Sequence, residues 1–348
     1  MNKPEQGRSR WLWGLRFALI AGTIALWGLA RVCIPSPSLL GTLLALTALG
    51  GAFLVLSAVV RVRSRGAGRP LADVALGLGA AAAALAFLFA VLSNREGPLP
   101  VAQLAAEAAT PGERLRVVDF NVLHGAPNFA GQEARFQDTL AAFRALKPDV
   151  IVLQEAWETR EHGNMAQRLG EALRFNYVYA RANGSRRLIG FEEGSAVLSR
   201  FPIRDARRPL LAPRRPWWER RIALVATLDV GGRLLAVAGL HCHDRDESVA
   251  AAQAHSLLTR LPKAGPVIVA GDFNADSGSP AVAQFTRAGF VDVLPGGIDH
   301  LLLPKDGWGW QLAEAAWTFR PDDLPPLIGK RVEISDHPAI VADLVPQR

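Results

Sequence analysis

Cysteine is nearly absent from this sequence, with two in 348 residues, Cys33 and Cys242. One closes an apolar stretch and the other lies deep in the second half, which excludes a disulfide framework and a cysteine-based zinc site. Internal repeats are missing too, and the one low-complexity tract is an alanine-rich run around residues 80–84. An excess of positive charge is missing where it would matter most. The whole chain carries +7, but residues 1–111 hold 10 of the 39 Lys/Arg and 4 of the 32 Asp/Glu. That leaves 29 basic against 28 acidic residues in 112–348. The C-terminal part therefore has no bulk field to gather nucleic acid.

Charge is scarce in three N-terminal stretches. Residues 11–30 contain only Arg16, residues 39–60 contain none, and residues 71–92 contain only Asp73. Each is about 20 residues, enough to cross a hydrocarbon core of roughly 30 Å as a helix. Lys3, Arg8 and Arg10 precede the first stretch, and Arg61, Arg63, Arg65 and Arg69 follow the second. Basic flanks stay in the cytoplasm. Three crossings then carry residue 93 onward outside. The expectation is a multi-pass protein of the inner or plasma membrane: a membrane domain at 1–92, a linker at 93–112, and a domain at 113–348 on the periplasmic or extracellular side.

From Arg114 the texture changes to short β-branched runs: LRVVDFNVL, DVIVLQEAW, GSAVLSR, IALVATLDV, RLLAVAGLH, GPVIVAGDFN and AIVADLV. Helical patterns cover 132–146, stopped by Lys147-Pro148, and 247–261. Gly231-Gly232 joins two runs as a hairpin turn. Strands in both hairpin and strand–helix order predict an α/β layered domain with mixed sheets.

Polar residues sit at the strand ends: Asn121, Gln154-Glu155, His241 and Asp272-Phe273-Asn274, with Asp336-His337 just before the last strand. Strand ends project groups from a rigid scaffold into a shared site. Gathered carboxylates repel one another, and a hard divalent cation removes that cost. Acids, Asn and His without Cys point to Mg²⁺ or Mn²⁺ acting on a phosphate.

The ordered segments VVDFNVLHG, VIVLQEAW, GSAVLSRFPI, VAGLHCH with Gln253 twelve residues on, VIVAGDFNA, GGIDHLLLP and ISDHPAIVADL span about 114–345. Together they resemble the endonuclease/exonuclease/phosphatase (DNase I-like) superfamily. The resemblance implies a four-layered α/β sandwich, two mixed sheets flanked by helices, that hydrolyses phosphate esters. It implies Glu155 as principal metal ligand, Asn121 beside metal and phosphate, and Asp336 completing the acidic metal environment. It sets His337 against the scissile phosphate, oriented by Asp299. His337 or Asp272 activates water, and Asn274 and His241 contact the phosphate or help the leaving oxygen. The chain departs from the family where Ala250 stands in place of a frequent Arg.

Two positions have rivals. His243 shares a strand face with His241, and the spacing to Gln253 favours His241. Asp292 lies near Asp299. His124 and His300 read as packing or solvent histidines. The substrate stays open: Arg181–Arg187 and Arg207–Arg221, the latter with Trp217 and Trp218 among six arginines, suit single-stranded nucleic acid or a membrane interface. The expected partners are the lipid bilayer and a membrane-proximal phosphoester. An extracytoplasmic nuclease and a catalytically silent sensor domain stand as alternatives.

Overall fold

The β-branched runs become strands. In chain order these are β1 (Leu115–Asn121), β2 (Val150–Thr159), β3 (Gly163–Asn164), β4 (Asn176–Ser185), β5 (Phe191–Ser199), β6 (Ile203–Arg207) and β7 (Ala223–Val230). They continue with β8 (Arg233–His241), β9 (Val267–Asp272), β10 (Phe290–Asp292), β11 (Asp299–Pro304), β12 (Trp310–Thr318) and β13 (Ala339–Pro346). Among the described residues four helices intervene: α1 (Gln132–Leu146), α2 (Met165–Leu173), α3 (Glu247–Leu258) and α4 (Pro280–Arg287). This computed structural model describes residues 98–105, 112–124, 131–186, 190–214, 220–306, 308–318 and 334–347. The three predicted membrane spans lie outside the described residues, as do Trp217 and Trp218. Among the described residues no helix is long and apolar enough to cross a membrane.

One sheet runs β12-β13-β1-β2-β5-β4, with β3 on β2; the other runs β10-β11-β9-β8-β7-β6. Both are mixed, since β1–β2 and β8–β9 are parallel among antiparallel neighbours. Side chains alternate across each strand, and each sheet is covered on both faces. Leu115, Val117, Val152, Leu224, Val237 and Ile268 belong to the core between the sheets. Val118, Phe120, Ile151 and Leu153 face outward onto α1 and α2 residues such as Phe136, Phe143 and Leu169. Ala236, Ala238, Leu240 and Val269 do the same against Ala250, Leu257 and Phe285 of α3 and α4. The order helix, sheet, sheet, helix is the expected four-layered sandwich.

Local chemistry sets the helix ends. α1 stops at Lys147, in the left-handed conformation at φ 51°, and Pro148 bars continuation. Asp246 caps α3 by accepting from the N–H groups of Ser248 and Val249. Ala250 is fully buried under the second sheet, where an arginine would have no room. Residues 98–105 of the predicted linker lie along the domain: Leu99 donates its N–H to the Ala206 carbonyl at 2.8 Å, and Ala102 exchanges two backbone bonds with Tyr177. This segment thus ties β6 of one sheet to β4 of the other.

Candidate active site

Three neighbouring strands of the second sheet build one wall. The register sets His241 of β8 beside Asp272 of β9, and Asp272 beside Asp299 of β11. All three share strand parity with inner-core residues, so they point toward the first sheet. Asp272 requires the glycine before it. Gly271 has φ 142°, and a Cβ there would collide with the Leu240 carbonyl.

The first sheet supplies the opposite wall. Asn121 ends β1 and donates Nδ2 to Asp272 Oδ2 at 3.1 Å, bridging the sheets, and to Glu155 Oε1 at 3.3 Å. By strand alternation Glu155 would point outward with Ile151 and Leu153. It does not, because β2 bulges between Leu153 and Ala156 and Glu155 adopts φ 56°. A bulge re-aims a side chain at the expense of local strain. Glu155 Oε2 then accepts the His124 N–H at 2.9 Å, with His124 Nε2 at 3.4 Å.

The Ser335–His337 loop closes the group. Ser335 Oγ donates to the Asn121 carbonyl at 2.6 Å and accepts the His337 N–H at 3.1 Å. His337 Nδ1 lies 2.8 Å from Asp299 Oδ2, and its Nε2 lies 3.8 Å from Asp272 Oδ2 and 4.0 Å from Asp336 Oδ1. The Asp336 side chain is 60 % exposed. Asn274, at φ 50°, donates its N–H to Asp272 Oδ1 and its Nδ2 to the Cys242 carbonyl. All eight predicted residues therefore gather at one end of the sandwich.

The rivals separate by partner. Asp292 bonds His300 Nδ1 at 2.8 Å, while His300 Nε2 meets the Ala275 carbonyl at 2.8 Å and the ring packs edge-on against Phe273. That pair is structural. His241 Nε2 lies 3.4 Å from Asp272. His243 is buried where its N–H donates to Gln253 Oε1. Gln253 thus anchors the turn after β8, and the useful spacing reflects that anchor. Cys242 points to the outer face beneath α3, and burial pushes its thiol up.

Four further residues were given no role in the site by sequence. His124, expected as a packing or solvent histidine, packs edge-on against Phe191 and sets its Nε2 3.4 Å from Glu155. Arg221 sets Nη1 2.6 Å from His241 Nε2; guanidinium only donates, so this Nε2 accepts and Nδ1 carries the ring proton. Asp119 and Gln154 face each other inside the core, Nε2 to Oδ1 at 2.8 Å, beneath the site.

Electrostatics divides the roles. Burial pulls His241 well below its ordinary value, and the Arg221 charge adds to this, so the ring is neutral. Burial and the Asp299 charge raise Asp272 to about 7, against the pull of His337. Burial alone would lower His337, but the Asp299 hydrogen bond and the charges of Asp299, Asp272 and Asp336 outweigh it and lift the imidazole to about 9. Desolvation, followed by Asp299, pushes Asp119 well up.

Asp272, Asp299 and His337 bring their ligand atoms within 4.8 Å of one another. With Nδ1 held by Asp299 and the ring favouring its proton, that trio is a hydrogen-bonded relay better than a metal cage. The surroundings nevertheless suit a hard divalent cation. Asp299 Oδ1 and Asp119 Oδ2 are buried without a hydrogen-bond partner, and Glu155 and Asp336 offer carboxylate oxygens beside Asn121 and His337.

The family model for endonuclease/exonuclease/phosphatase proteins matches residues 120–337. No curated protein matches the chain. Among solved structures, an endonuclease/exonuclease/phosphatase from Beutenbergia cavernae is similar at TM-score 0.54 and 20% identity, over 68% of this chain and 72% of that one. The human Nocturnin catalytic domain, solved with a sulfate anion, gives 0.54 and 21% over 68% and 94%. D. rerio TDP2 in complex with a single-stranded DNA product gives 0.51 and 17% over 67% and 99%. At these identities the likeness speaks for the fold alone; the matched family model carries the activity class. With that match laid over the strand ends described above, this chain belongs to the endonuclease/exonuclease/phosphatase family, whose members hydrolyse phosphate esters with a divalent metal.

Proposed function

We propose that the chain is a membrane-anchored, Mg²⁺- or Mn²⁺-dependent phosphoesterase whose substrate is a lipid-linked or other membrane-proximal phosphoester outside the cytoplasm. The observation that carries the chemistry is the Asp299–His337–Asp272 array, with Asn121 bridging Asp272 to Glu155. Glu155, Asn121 and Asp336 would hold the ion, which supplies positive charge to the phosphate oxygens.

The protein's own groups divide the rest. His337, favouring its proton, turns Nε2–H toward a phosphate oxygen and stabilises the charge that builds there. Asp299 fixes the tautomer and ring plane. Asp272, raised toward neutrality, takes the proton of the attacking water. Neutral His241, held by Arg221, presents a donor at Nδ1.

The membrane half of the reading rests on the three apolar stretches and their basic flanks. A nuclease on the same scaffold is the second reading, favoured by D. rerio TDP2 with its DNA product. Purified full-length protein in detergent, given Mg²⁺ or Mn²⁺, is to be assayed on a lipid-phosphate panel and on plasmid and single-stranded DNA. Turnover of lipid phosphates above DNA supports the proposal, and the reverse order replaces it with the nuclease. Glu155→Ala and Asp272→Ala should each lose about 10²–10⁴-fold in rate. Full activity in either variant sinks the site assignment.

A further inference from the structure

A groove of about 750 Å³ runs along the edge strand β6 and is lined by Arg207, Arg208, Arg260 and Lys263, with Asp205 as the one acid among its lining residues. Arg207, Arg260 and Lys263 are exposed. Arg207 donates Nη2 to the Arg260 carbonyl at 2.7 Å, a neutral acceptor that holds the guanidinium in place and keeps its charge. The domain as a whole is nearly neutral, so this concentration of positive charge is local.

Pro98 lines the same groove and bridges Arg207. It follows the end of the third predicted span, Leu92, by six residues. Six residues reach at most about 20 Å when fully extended. The bonds of Leu99 and Ala102 to the domain fix where that short connection arrives. By chain length alone, the basic groove lies within reach of lipid headgroups.

We propose that this groove binds the phosphate headgroups of anionic lipids in the bilayer that anchors the chain. The proposal rests on the membrane reading made above. Seating holds the domain against the surface at its β6 edge, beyond what the tether imposes. Each seated basic residue strengthens the contact by about fivefold, and the contact weakens as salt rises.

Full-length protein in nanodiscs of phosphatidylcholine alone, and of phosphatidylcholine with phosphatidylglycerol, is compared by hydrogen exchange and by amine-reagent labelling of Lys263. Alkaline carbonate extraction of membranes is the control. Slower exchange at 203–210 and 259–264, with slower Lys263 labelling, is expected only with the anionic lipid. Both effects should vanish in about 0.5 M salt, and the slower exchange should vanish in Arg207→Glu/Lys263→Glu, whose core strands should keep their exchange rates. Equal exchange and labelling in the two nanodiscs overturns the groove proposal while the anchor stands. Release by carbonate overturns the anchor and the groove proposal with it. Protection in detergent by DNA but not by anionic lipid assigns the groove to a different partner and overturns it as well.

Discussion

His337 has given one ring nitrogen to Asp299 and turns the other toward Asp272. Which of His337 and Asp272 moves the water's proton was open at the level of sequence, because both types can serve as a base. Their surroundings separate them. His337 is lifted to about 9 and Asp272 to about 7. If Asp272 is the base, the active form has Asp272 ionised and His337 protonated. The rate of the metal-loaded enzyme should then rise as Asp272 loses its proton, in a limb that the cation's charge draws below the metal-free value of about 7, and fall on the alkaline side, no higher than about pH 9, as His337 loses its own. A kcat/KM profile against pH checks this. A rate that keeps climbing beyond pH 9 would make His337 the base instead. The choice of Asp299 over Asp292 had a similar ending. Sequence sets two acids near one another, and the non-local pairing of β11 with β9 decides which meets His337.

At the scale of elements, the sheets approach closely where Gly239 of β8 faces Val152 of β2. A Cβ at Gly239 would lie 2.7 Å from Val152 Cγ1. Valine is stiff at χ1, so relief requires the sheets to move. Gly239→Ala should cost about 1–3 kcal/mol, read from the denaturant midpoint. Val152→Ala in the same chain should recover part of that loss, although it costs stability alone. A Gly239→Ala variant within about 0.5 kcal/mol of the parent would mean the close contact is relieved locally. The same scale explains what sequence did and did not make legible. Strands buried on both faces, such as β1, β2, β8 and β9, read as apolar runs. β6 (IRDAR) and β12 (WQLAEAAWT) are edge strands with mostly polar or exposed positions, so no apolar run marks them. Arg181–Ser185, read as part of a substrate-choosing segment, forms the end of β4. The β2 bulge was equally silent, because a two-to-one pairing depends on the partner strand β5 and leaves no local pattern. Asp119 and Gln154 could not be foreseen as a pair, since their contact depends on the register of β1 with β2.

For the molecule as a whole, the converging acids set a cost that a cation relieves. Asp272, Asp299 and Asp119 are each nearly inaccessible; beyond burial itself, the Asp299 charge raises the resistance of Asp272 and Asp119 to ionising, and Asp272 adds to that of Asp119. Mg²⁺ or Mn²⁺ should therefore stabilise the fold as well as switch on activity. At a hundred times its Kd, an ion bound only by the folded state adds about 2.7 kcal/mol, or roughly 5–10 °C in Tm for a domain of this size. Thermal unfolding of the full chain with and without metal reads it directly. Glu155→Ala should lose most of the shift. An unchanged Tm at saturating metal would remove the cation from the account of the site.

The largest-scale expectation concerns which side of a membrane the chemistry occupies. In the proposed topology, Lys3, Arg8 and Arg10 before the first apolar stretch, and four arginines after the second, would hold those segments in the cytoplasm. The stretch after the first carries only Arg31, and after the third Arg95 stands beside Glu96. On that proposal, three crossings would deliver Pro98 and the domain to the outside. Cys242 is free and buried in the sandwich, so an oxidising exterior imposes no conflict on it. An alkaline phosphatase fused after Arg348 should be active, and a fluorescent protein that matures only in the cytoplasm should stay dark at the same position. The opposite pair of results would turn the domain inward and move its substrate to the cytoplasmic leaflet. Replacing Arg61, Arg63, Arg65 and Arg69 together with neutral residues should weaken the orientation, so that some activity of each fusion appears in the same cells. Orientation unchanged by that replacement would shift the topological signal to the N-terminal tail alone.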